Sequence, residues 1–320
     1  MEHRLRGTLL LLLTAAIWGL AFVAQRIGAE HMGPFAFNAA RFALGALSLL
    51  PVIVVFDRLR ARRGRGGALT GRERTLAALR PGALAGLVLF TASWLQQWAL
   101  SYTTAGNAGF ITGLYIVIVP ILGVFLAQRA SMHTWLGAVL ACGGLYVLSV
   151  HGDMRLSPGD GLVLGSAVLW AVHILVVDRF TRLDAVRFSA IQFGTTALLS
   201  LIAALLFETA PFAGASAALV PILYGGLLSV GVAYTLQVFG QRDTPPAAAA
   251  IILSLEAVFA AVGGIVLLAE PFTLREATGF GLMLAGILVS QRTPAPASHA
   301  PTPHAPTPPT SPAAPTDDRP

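Results

Sequence analysis

Long apolar runs alternate with short polar segments along the chain, and ten of these runs are long enough to cross a bilayer. A helix needs about 20 mostly apolar residues to span the hydrocarbon core. Because the runs are continuously apolar and do not alternate with a period of two, they predict helices and not membrane strands. We therefore predict an all-α integral membrane protein with ten transmembrane helices, whose runs begin near residues 8, 34, 82, 105, 135, 159, 186, 217, 246 and 274.

Composition supports a membrane protein and argues against several other classes. Of the 320 residues, 55% are hydrophobic and 11% are charged, whereas about 25% of a soluble globular domain is charged. The net charge of +6 would also suit a nucleic-acid partner. The arginines, however, lie in short segments between apolar runs, so no nucleic-acid binding is expected. The single cysteine, Cys142, lies inside an apolar run, which excludes a disulfide framework and a cysteine-based metal site.

The distribution of arginine predicts the orientation in the membrane. All 21 basic residues are Arg, and a cytoplasmic N-terminus puts 16 of them inside but only Arg26, Arg155 and Arg275 outside. Because basic loops stay on the cytoplasmic side, both termini are predicted to be cytoplasmic. Eight of the 16 lie in a basic cytoplasmic loop, residues 57–80, which we expect beside anionic lipid. The exclusive use of Arg indicates a GC-rich bacterial coding bias, so the bacterial inner membrane is predicted.

The composition changes abruptly after Gln291. Residues 292–320 consist mainly of Pro, Ala, Thr and Ser, and such a segment cannot form a hydrophobic core. We predict a disordered, partly polyproline II cytoplasmic tail. A dispensable extension is favoured over a partner-binding segment.

The two halves of the chain match each other in the same order. The segment AAIWGLAF matches SAVLWAVH, which aligns Trp18 with Trp170 at an offset of 152 residues. FNAARF matches FSAIQF at 151, WLQQ matches YTLQ at 140, and a pair of glycines in the fifth run recurs at 142. Each match is weak alone, but the common order and the slowly drifting offset indicate a duplication.

Each half contains five predicted spans, an odd number, so the second half enters the membrane from the opposite side. The chain is thus predicted to form two inverted five-helix repeats, residues 1–150 and 159–291. Such repeats place a binding site near the bilayer midplane between the halves, and rocking exposes it to each side in turn. An inverted duplication therefore favours a carrier over an enzyme.

Several motifs carry a family resemblance. WGLAFVAQ, the Arg in NAARF, AGNAGFITGLYIVIVP, and SLEAVFAAVGGIVLLAE before a Gly-rich last helix resemble the EamA family of the drug/metabolite transporter superfamily, over residues 8–291. The resemblance implies a ten-helix inner-membrane carrier from a family whose members mostly export amino acids, other metabolites or toxic compounds. This chain has Ala257 where the family often has Pro, so a proline kink is not implied. It also has Gln128 and Arg129 in place of an acid common at the end of the fourth helix.

Three ionisable residues fall inside predicted spans: Arg41, His173 and Glu256. An ionised side chain at the bilayer centre costs about 2.5–3.5 kcal/mol on insertion scales, so each invites a functional explanation. Glu256 lies about ten residues into the ninth run, or roughly 15 Å, close to the midplane. It either binds a proton or a cationic substrate group, or is a structural acid hydrogen-bonded to a neighbouring helix, near Ser254.

Arg41 lies about seven residues into the second run from the predicted outer face. It could hold a substrate carboxylate, or pair with Glu256 as a gate. The alternative we favour is that its guanidinium extends to the outer headgroups while its stem packs on apolar neighbours. His173 shares a helical face with Trp170, and a neutral interior histidine is favoured over a proton relay.

Aromatic residues with a nearby glutamine occur at equivalent places in both halves. Trp94 precedes Gln97 in the third run, and Tyr234 precedes Gln237 in the eighth. Such groups suit a cavity that binds amphipathic molecules, although an interfacial aromatic belt is the alternative reading of the third run. The predicted cavity residues are Trp18, Arg41, Trp94, Gln97, Tyr115, Trp170, His173, Tyr234, Gln237 and Glu256.

We predict a secondary-active transporter that exports amino acids or other small metabolites or drugs by alternating access. The alternatives are an uptake carrier of the same fold and a polytopic membrane enzyme. The chain has no Lys for a Walker A loop and no H-E-x-x-H or G-x-S-x-G motif, so no enzyme, cofactor or metal is expected. One acid and one Arg suit a zwitterion such as an amino acid, but also a hydrophobic cation or a neutral metabolite. Proton coupling through Glu256 and the oligomeric state, monomer or homodimer, stay open.

Overall fold

The computed structural model is helical, and no strand occurs in the residues that it describes. This confirms the all-helical fold predicted from the apolar runs. The described residues are 2–62, 70–103, 105–126, 130–149, 158–259, 262, 273–290 and 292, and the predicted tail beyond residue 292 lies outside them. The helices in chain order are α1 (Glu2–His31), α2 (Pro34–Arg62), α3 (Gly71–Ala99), α4 (Ala105–Gly113), α5 (Tyr115–Phe125), α6 (Met132–Ser149), α7 (Pro158–Arg179), α8 (Ala185–Phe207), α9 (Leu219–Leu223), a π-helical segment (Tyr224–Tyr234), α10 (Thr235–Gly240), α11 (Pro246–Leu253) and α12 (Leu274–Ser290).

Seven helices of the described chain are long and apolar enough to cross a membrane. Three further apolar helices are shorter, at Met132–Val147, Pro246–Phe259 and Ala277–Ser290. Each predicted run overlaps one of these helices, and the chain is a multi-pass membrane protein. The number of ten crossings stays a prediction. The seven long helices are Arg4–His31, Pro34–Arg62, Gly71–Ala99, Ala108–Phe125, Pro158–Arg179, Ala185–Phe207 and Leu219–Gly240.

The helix α3 begins at Gly71, inside the predicted basic loop and well before residue 82. Its N-cap is Thr70, whose Oγ1 accepts from the Glu73 amide at 3.3 Å, while Glu73 Oε2 accepts from the Thr70 amide at 2.6 Å. This reciprocal pair satisfies two amide groups that a helix start otherwise leaves free. The polar end of the loop is therefore helical, while residues 63–69 lie outside the described residues.

Helices from the N-terminal part of the chain pack directly against helices from the C-terminal part. The helix α2 packs along α8, α3 lies against α7 and α8, α1 contacts the π-helical segment and α10, and α6 packs on α12. In the last pair, a Cβ atom built on Gly137 would lie 2.6 Å from the carbonyl oxygen of Gly286. One built on Gly144 would lie 2.7 Å from that of Gly279. Because these positions carry no side chain, the two backbones approach closely.

A cluster of ion pairs joins the ends of α2, α3 and α8. Arg187 is 3% exposed and donates to Asp57 Oδ2 at 2.5 Å and to Asp184 Oδ2 at 3.1 Å. Asp57 also accepts from Arg74 at 3.2 Å, and Asp184 accepts from Arg60 at 2.7 Å. Burial acts to raise the pKa of Asp184, but these hydrogen bonds and positive charges hold it below the usual value of 3.8. Arginines that the sequence presents only as an orientation signal therefore also tie three helices together.

Two apolar helices are interrupted by tight turns. One residue, Leu114, separates α4 from α5, and its amide bonds to the carbonyl three residues earlier at 3.2 Å. A turn at Ser254 and Leu255 follows α11, and the Leu255 amide bonds to the carbonyl three residues earlier, also at 3.2 Å. Such i to i−3 bonds tighten the backbone relative to an α-helix. The second interruption lies just before Ala257, so no proline is needed to produce it.

The helix that runs from Leu219 to Gly240 changes its winding in the middle. Residues Tyr224–Tyr234 are π-helical, with α-helix on both sides. A π-helix has more residues in each turn than an α-helix, so side chains after it point in directions that a period of 3.6 does not predict. This segment carries Ser229 and Tyr234 to the interface between the two parts of the chain.

Candidate functional site

A cavity lies where helices from both parts of the chain meet, with about 510 Å³ of space when its open mouth is counted. Its walls include α1, α2, α3, α7, the π-helical segment and both interrupted helices. It brings together seven of the ten residues predicted for it: Trp18, Arg41, Tyr115, Trp170, Tyr234, Gln237 and Glu256. The remaining lining residues are Ala21, Phe22, Gln25, Gln96, Thr112, Ile174, Ser229 and Leu253.

Glu256 lies at the cavity wall, directly after the turn that ends α11. Its side chain is 4% exposed, and its Oε1 accepts a hydrogen bond from the Tyr115 hydroxyl at 3.1 Å. Ser254, the partner considered from the sequence, donates instead to the carbonyl of Ile251 at 2.8 Å. A carboxylate in this position has a neutral donor on one oxygen and the cavity beside it, which suits a ligand cation or a proton.

Arg41 is buried beside the same cavity and does not extend to the surface. It is 2% exposed, its Nε donates to Asn38 Oδ1 at 2.9 Å, and its guanidinium carbon lies 4.8 Å from the ring centroid of Phe42. The favoured expectation of a guanidinium extended to the outer headgroups is therefore wrong for this conformation. No carboxylate of the described residues lies within 4.0 Å of it, so Arg41 and Glu256 do not form a closed pair here. Its terminal nitrogens make no hydrogen bond to any described residue, and they are available to an anionic group.

Aromatic rings form one wall of the cavity around Tyr234. The Trp18 ring lies 4.5 Å from the Tyr234 ring, and the Trp170 ring stacks on it at 6.1 Å. The Trp18 indole nitrogen donates to the carbonyl of Ser229 at 3.2 Å, and that of Trp170 donates to Gln96 Oε1 at 2.6 Å. Because both indoles are held by hydrogen bonds, the wall offers rigid apolar surface at fixed positions.

The other three predicted residues lie outside the cavity lining: Trp94, Gln97 and His173. Trp94 stacks on the rings of Phe35 at 5.3 Å and Trp98 at 5.7 Å, on another face of α3. Gln97 Nε2 donates to the carbonyl of Gln25 at 2.9 Å. These contacts place both side chains in helix packing behind the cavity wall.

His173 is fully buried behind the aromatic wall. Its Nε2 lies 3.0 Å from Gln192 Oε1, and its ring meets those of Trp170 and Tyr234 edge-on at 6.0 Å. This is the interior histidine favoured from the sequence, although its protonation remains a prediction. Gln192 is the residue that the repeat aligned with Arg41.

The cavity also contains polar residues that the sequence reasoning missed. Gln96 lines it, whereas the adjacent Gln97 does not, because neighbouring residues on a helix point about 100° apart. Gln25 follows Trp18 by seven residues, a spacing that brings both side chains to one helical face. Extending the predicted residue Trp18 along its own helical face would have found Gln25, whereas the turn at Leu114 separates Thr112 from Tyr115.

Comparisons with known proteins agree with this architecture. A family model described as the EamA-like transporter family matches residues 5–150 and again residues 157–291. An uncharacterized transporter of Archaeoglobus fulgidus is 31% identical over 291 residues, which cover 90% of this chain and 87% of that protein. A probable terminal-alkyne amino-acid exporter of Streptantibioticus cattleyicolor is 27% identical, covering 88% of this chain and 93% of the other.

A crystal structure of another protein shares the fold. It superposes with a TM-score of 0.69 at 21% sequence identity, covering 89% of this chain and 96% of the other. At this identity the likeness concerns the fold alone.

Proposed function

This chain belongs to the EamA-like transporter family, and we propose that it carries a small zwitterion, such as an amino acid, out of the cell by alternating access. Family and relatives are named as transporters, and transport implies a small-molecule substrate. The single observation that carries the proposal is the cavity between the two parts of the chain. It holds one buried guanidinium with free terminal nitrogens and one buried carboxylate, and their charges are opposite and unpaired with each other.

Two inverted repeats, residues 1–150 and 159–291, form part of this proposal. The family model matches two successive segments of nearly these bounds. Hydrogen bonds between the parts also recur at equivalent positions: Thr14 Oγ1 donates to the carbonyl of Ala233 at 3.2 Å, and Ser166 Oγ donates to that of Ala92 at 2.9 Å. Thr14 and Ser166 differ by the 152 residues that relate the two tryptophans, which favours a two-fold relationship between the halves.

The close contacts of α6 with α12 also favour a two-fold relationship between the halves. The offset of 142 relates Gly137 to Gly279 and Gly144 to Gly286, and the contacts observed are Gly137 with Gly286 and Gly144 with Gly279. Exchanging the halves therefore turns one contact into the other. In such an arrangement rocking of one half against the other opens the cavity to each side in turn.

The cavity chemistry supports a zwitterionic cargo. A carboxylate would accept two hydrogen bonds from the Arg41 terminal nitrogens, and an ammonium group would bind Glu256. The rings of Trp18 and Trp170 and the side chain of Phe22 would contact an apolar portion of the molecule. A proton on Glu256 in place of the ammonium group would couple transport to the proton gradient.

Export and orientation are proposed on separate grounds. The Streptantibioticus cattleyicolor relative is named an amino-acid exporter, and the 16 to 3 distribution of arginines supports cytoplasmic termini in an inner membrane. Alternating access itself is reversible, so direction depends on the gradients present in the cell.

Transport by purified protein in liposomes tests the proposal. Liposomes loaded with a cytosolic metabolite extract should release zwitterionic metabolites in unaltered form, as followed by mass spectrometry of the outer medium. Arg41→Gln and Glu256→Gln should each abolish this release, whereas Arg58→Gln, on an exposed arginine of α2, should not. Release that equals that of protein-free liposomes contradicts a carrier, and a chemically altered product indicates an enzyme.

A further inference from the structure

We propose that Thr112 and Gln237 complete, together with Glu256, a three-acceptor site for a primary ammonium group. The inference rests on the proposed zwitterion carrier and adds two residues that select the cationic end of the cargo. All three side chains line one cavity, and they come from three different helices.

Thr112 has a buried hydroxyl that lines the cavity and has no partner. It is 3% exposed, and its Oγ1 makes no hydrogen bond to any described residue. Threonines inside helices commonly donate to the carbonyl four residues earlier, as Thr91 does to Leu87 at 3.0 Å and Thr278 does to Leu274 at 2.8 Å. The Thr112 hydroxyl makes no such bond, although Thr112 also lies inside a helix, α4.

Gln237 supplies a second unpaired acceptor. It is 1% exposed, it lies one turn after Tyr234 on α10, and its Oε1 has no hydrogen-bond partner among the described residues. Buried amide oxygens are normally paired. An acceptor of this kind in a ligand cavity is suited to a donor that arrives with the ligand.

Glu256 supplies the third acceptor and the negative charge. Its Oε1 already accepts from Tyr115, and no hydrogen bond of a described residue reaches its Oε2. Tyr115 follows the last residue of α4 by two positions, so this hydrogen bond holds the end of α4 close to Glu256.

The cavity offers unpaired atoms of two kinds. Thr112 and Gln237, which line the same cavity as Glu256, have unpaired oxygens. Arg41 has free terminal nitrogens, and Nδ2 of its hydrogen-bond partner Asn38 is buried without a partner among the described residues. A primary ammonium group has three N–H donors, and a carboxylate has only acceptors. An α-amino acid satisfies both sets, and each N-methylation of its ammonium group removes one donor.

Binding to the purified full-length protein in nanodiscs tests the site, with calorimetry as the readout. The probes are L-leucine, its N-methyl and N,N,N-trimethyl derivatives, and 4-methylpentanoate, which has the same carbon skeleton without the amine. We expect leucine to bind most tightly, N-methylation to weaken binding about tenfold for a lost charge-assisted hydrogen bond, and trimethylation to weaken it further. Leucine that binds no better than 4-methylpentanoate would overturn the ammonium site.

Variants separate lost hydrogen bonds from steric exclusion. Thr112→Val should weaken leucine binding about tenfold. It should also shrink the difference in affinity between leucine and N-methyl-leucine, because the substitution and the methyl group remove the two partners of the same hydrogen bond. Thr112→Ser, which keeps the hydroxyl, should restore both. Thr235→Val is the matched control, since Thr235 is buried with an unpaired hydroxyl but does not line the cavity.

Gln237→Met should act like Thr112→Val, and Gln241→Met is its control, since Gln241 also has a buried unpaired Oε1 outside the lining. If the ratio of the leucine affinity to the N-methyl-leucine affinity stays unchanged in both cavity variants, size alone excludes the methyl group. That result overturns the inference. The liposome experiment uses a whole extract and does not depend on leucine. If the liposomes release zwitterions but leucine and N-methyl-leucine bind equally well, the proposed carrier function stands and only the ammonium site is ruled out.

Discussion

The Tyr115 hydroxyl donates to the Glu256 carboxylate at 3.1 Å, and the two residues are 141 positions apart. Each is the first helical residue after an interruption, Tyr115 after Leu114 and Glu256 after Leu255. The separation falls within the offsets of 140 to 152 that relate the matching segments of the two halves. Thus the bond joins the two interrupted helices across the interface at the cavity wall.

Removing this hydroxyl should destabilise the folded protein. Tyr115→Phe leaves a buried carboxylate without its donor, and a hydrogen bond to a charged group contributes about 1.5–3 kcal/mol. We expect a lower midpoint of thermal unfolding in detergent, recovered in part when a cavity ligand is present. Tyr146→Phe is the control, because Tyr146 is 55% exposed and contacts Phe110 only edge-on. Equal losses in both variants would contradict a specific role for the Tyr115 hydroxyl.

The Arg187 cluster should be the most sensitive polar contact outside the cavity. Arg187→Gln removes the buried cation that Asp57 and Asp184 share, while each acid keeps a second arginine. The loss of a hydrogen bond to a charged group costs about 1.5–3 kcal/mol. Denaturation in detergent should show this loss directly. The exposed Arg182, in the segment between α7 and α8, gives the control variant Arg182→Gln, for which no change beyond about 0.5 kcal/mol is expected. A similar loss in the two variants would mean that net charge, and not the ion pairs, is responsible.

The same cluster predicts a pH dependence of stability. The pKa of Asp184 is held below 3.8 in the folded protein, because the stabilising contacts with Arg60 and Arg187 outweigh burial. A group whose pKa is lowered by folding stabilises the protein above its unfolded pKa, and this contribution is lost as the pH falls through the folded pKa. Unfolding followed from pH 7 to pH 2 should therefore show a loss below about pH 4 that is smaller in Asp184→Asn. An identical acid profile in this variant would assign the loss to other carboxylates.

The glycine contact between α6 and α12 should tolerate no side chain. A Cβ atom at Gly137 would lie 2.6 Å from the carbonyl oxygen of Gly286, so Gly137→Ala must push the helices apart at a cost of about 1–3 kcal/mol. Gly143 lies on the same helix, and a Cβ atom there would meet nothing within 4 Å. Gly143→Ala should therefore be neutral or slightly stabilising, since Ala is the better helix former. Thermal unfolding of the two variants measures the difference, and equal midpoints would contradict the close approach.

The apolar runs and their order were readable from the sequence because a membrane span depends on local composition. An ionisable residue inside such a run invites a functional explanation, so Arg41 and Glu256 could be named as candidates without coordinates. The burial of the Arg41 guanidinium was not predicted and is known only from the structure. Repetition of short segments in the same order predicted two related halves, because such a repeat is read from the sequence alone.

Which side of each helix faces the cavity was decided only by tertiary packing. Gln96 and Gln97 have the same chemistry and adjacent positions, and only the rotation of α3 against its neighbours places one in the cavity and the other behind it. Three interruptions change the directions in which the following side chains point: the turns at Leu114 and Ser254, and the π-helical segment. A single helical period therefore does not relate the residues before an interruption to those after it. Partners such as Tyr115 for Glu256, 141 residues away, depend on how whole helices pack, and a local pattern contains no information about that.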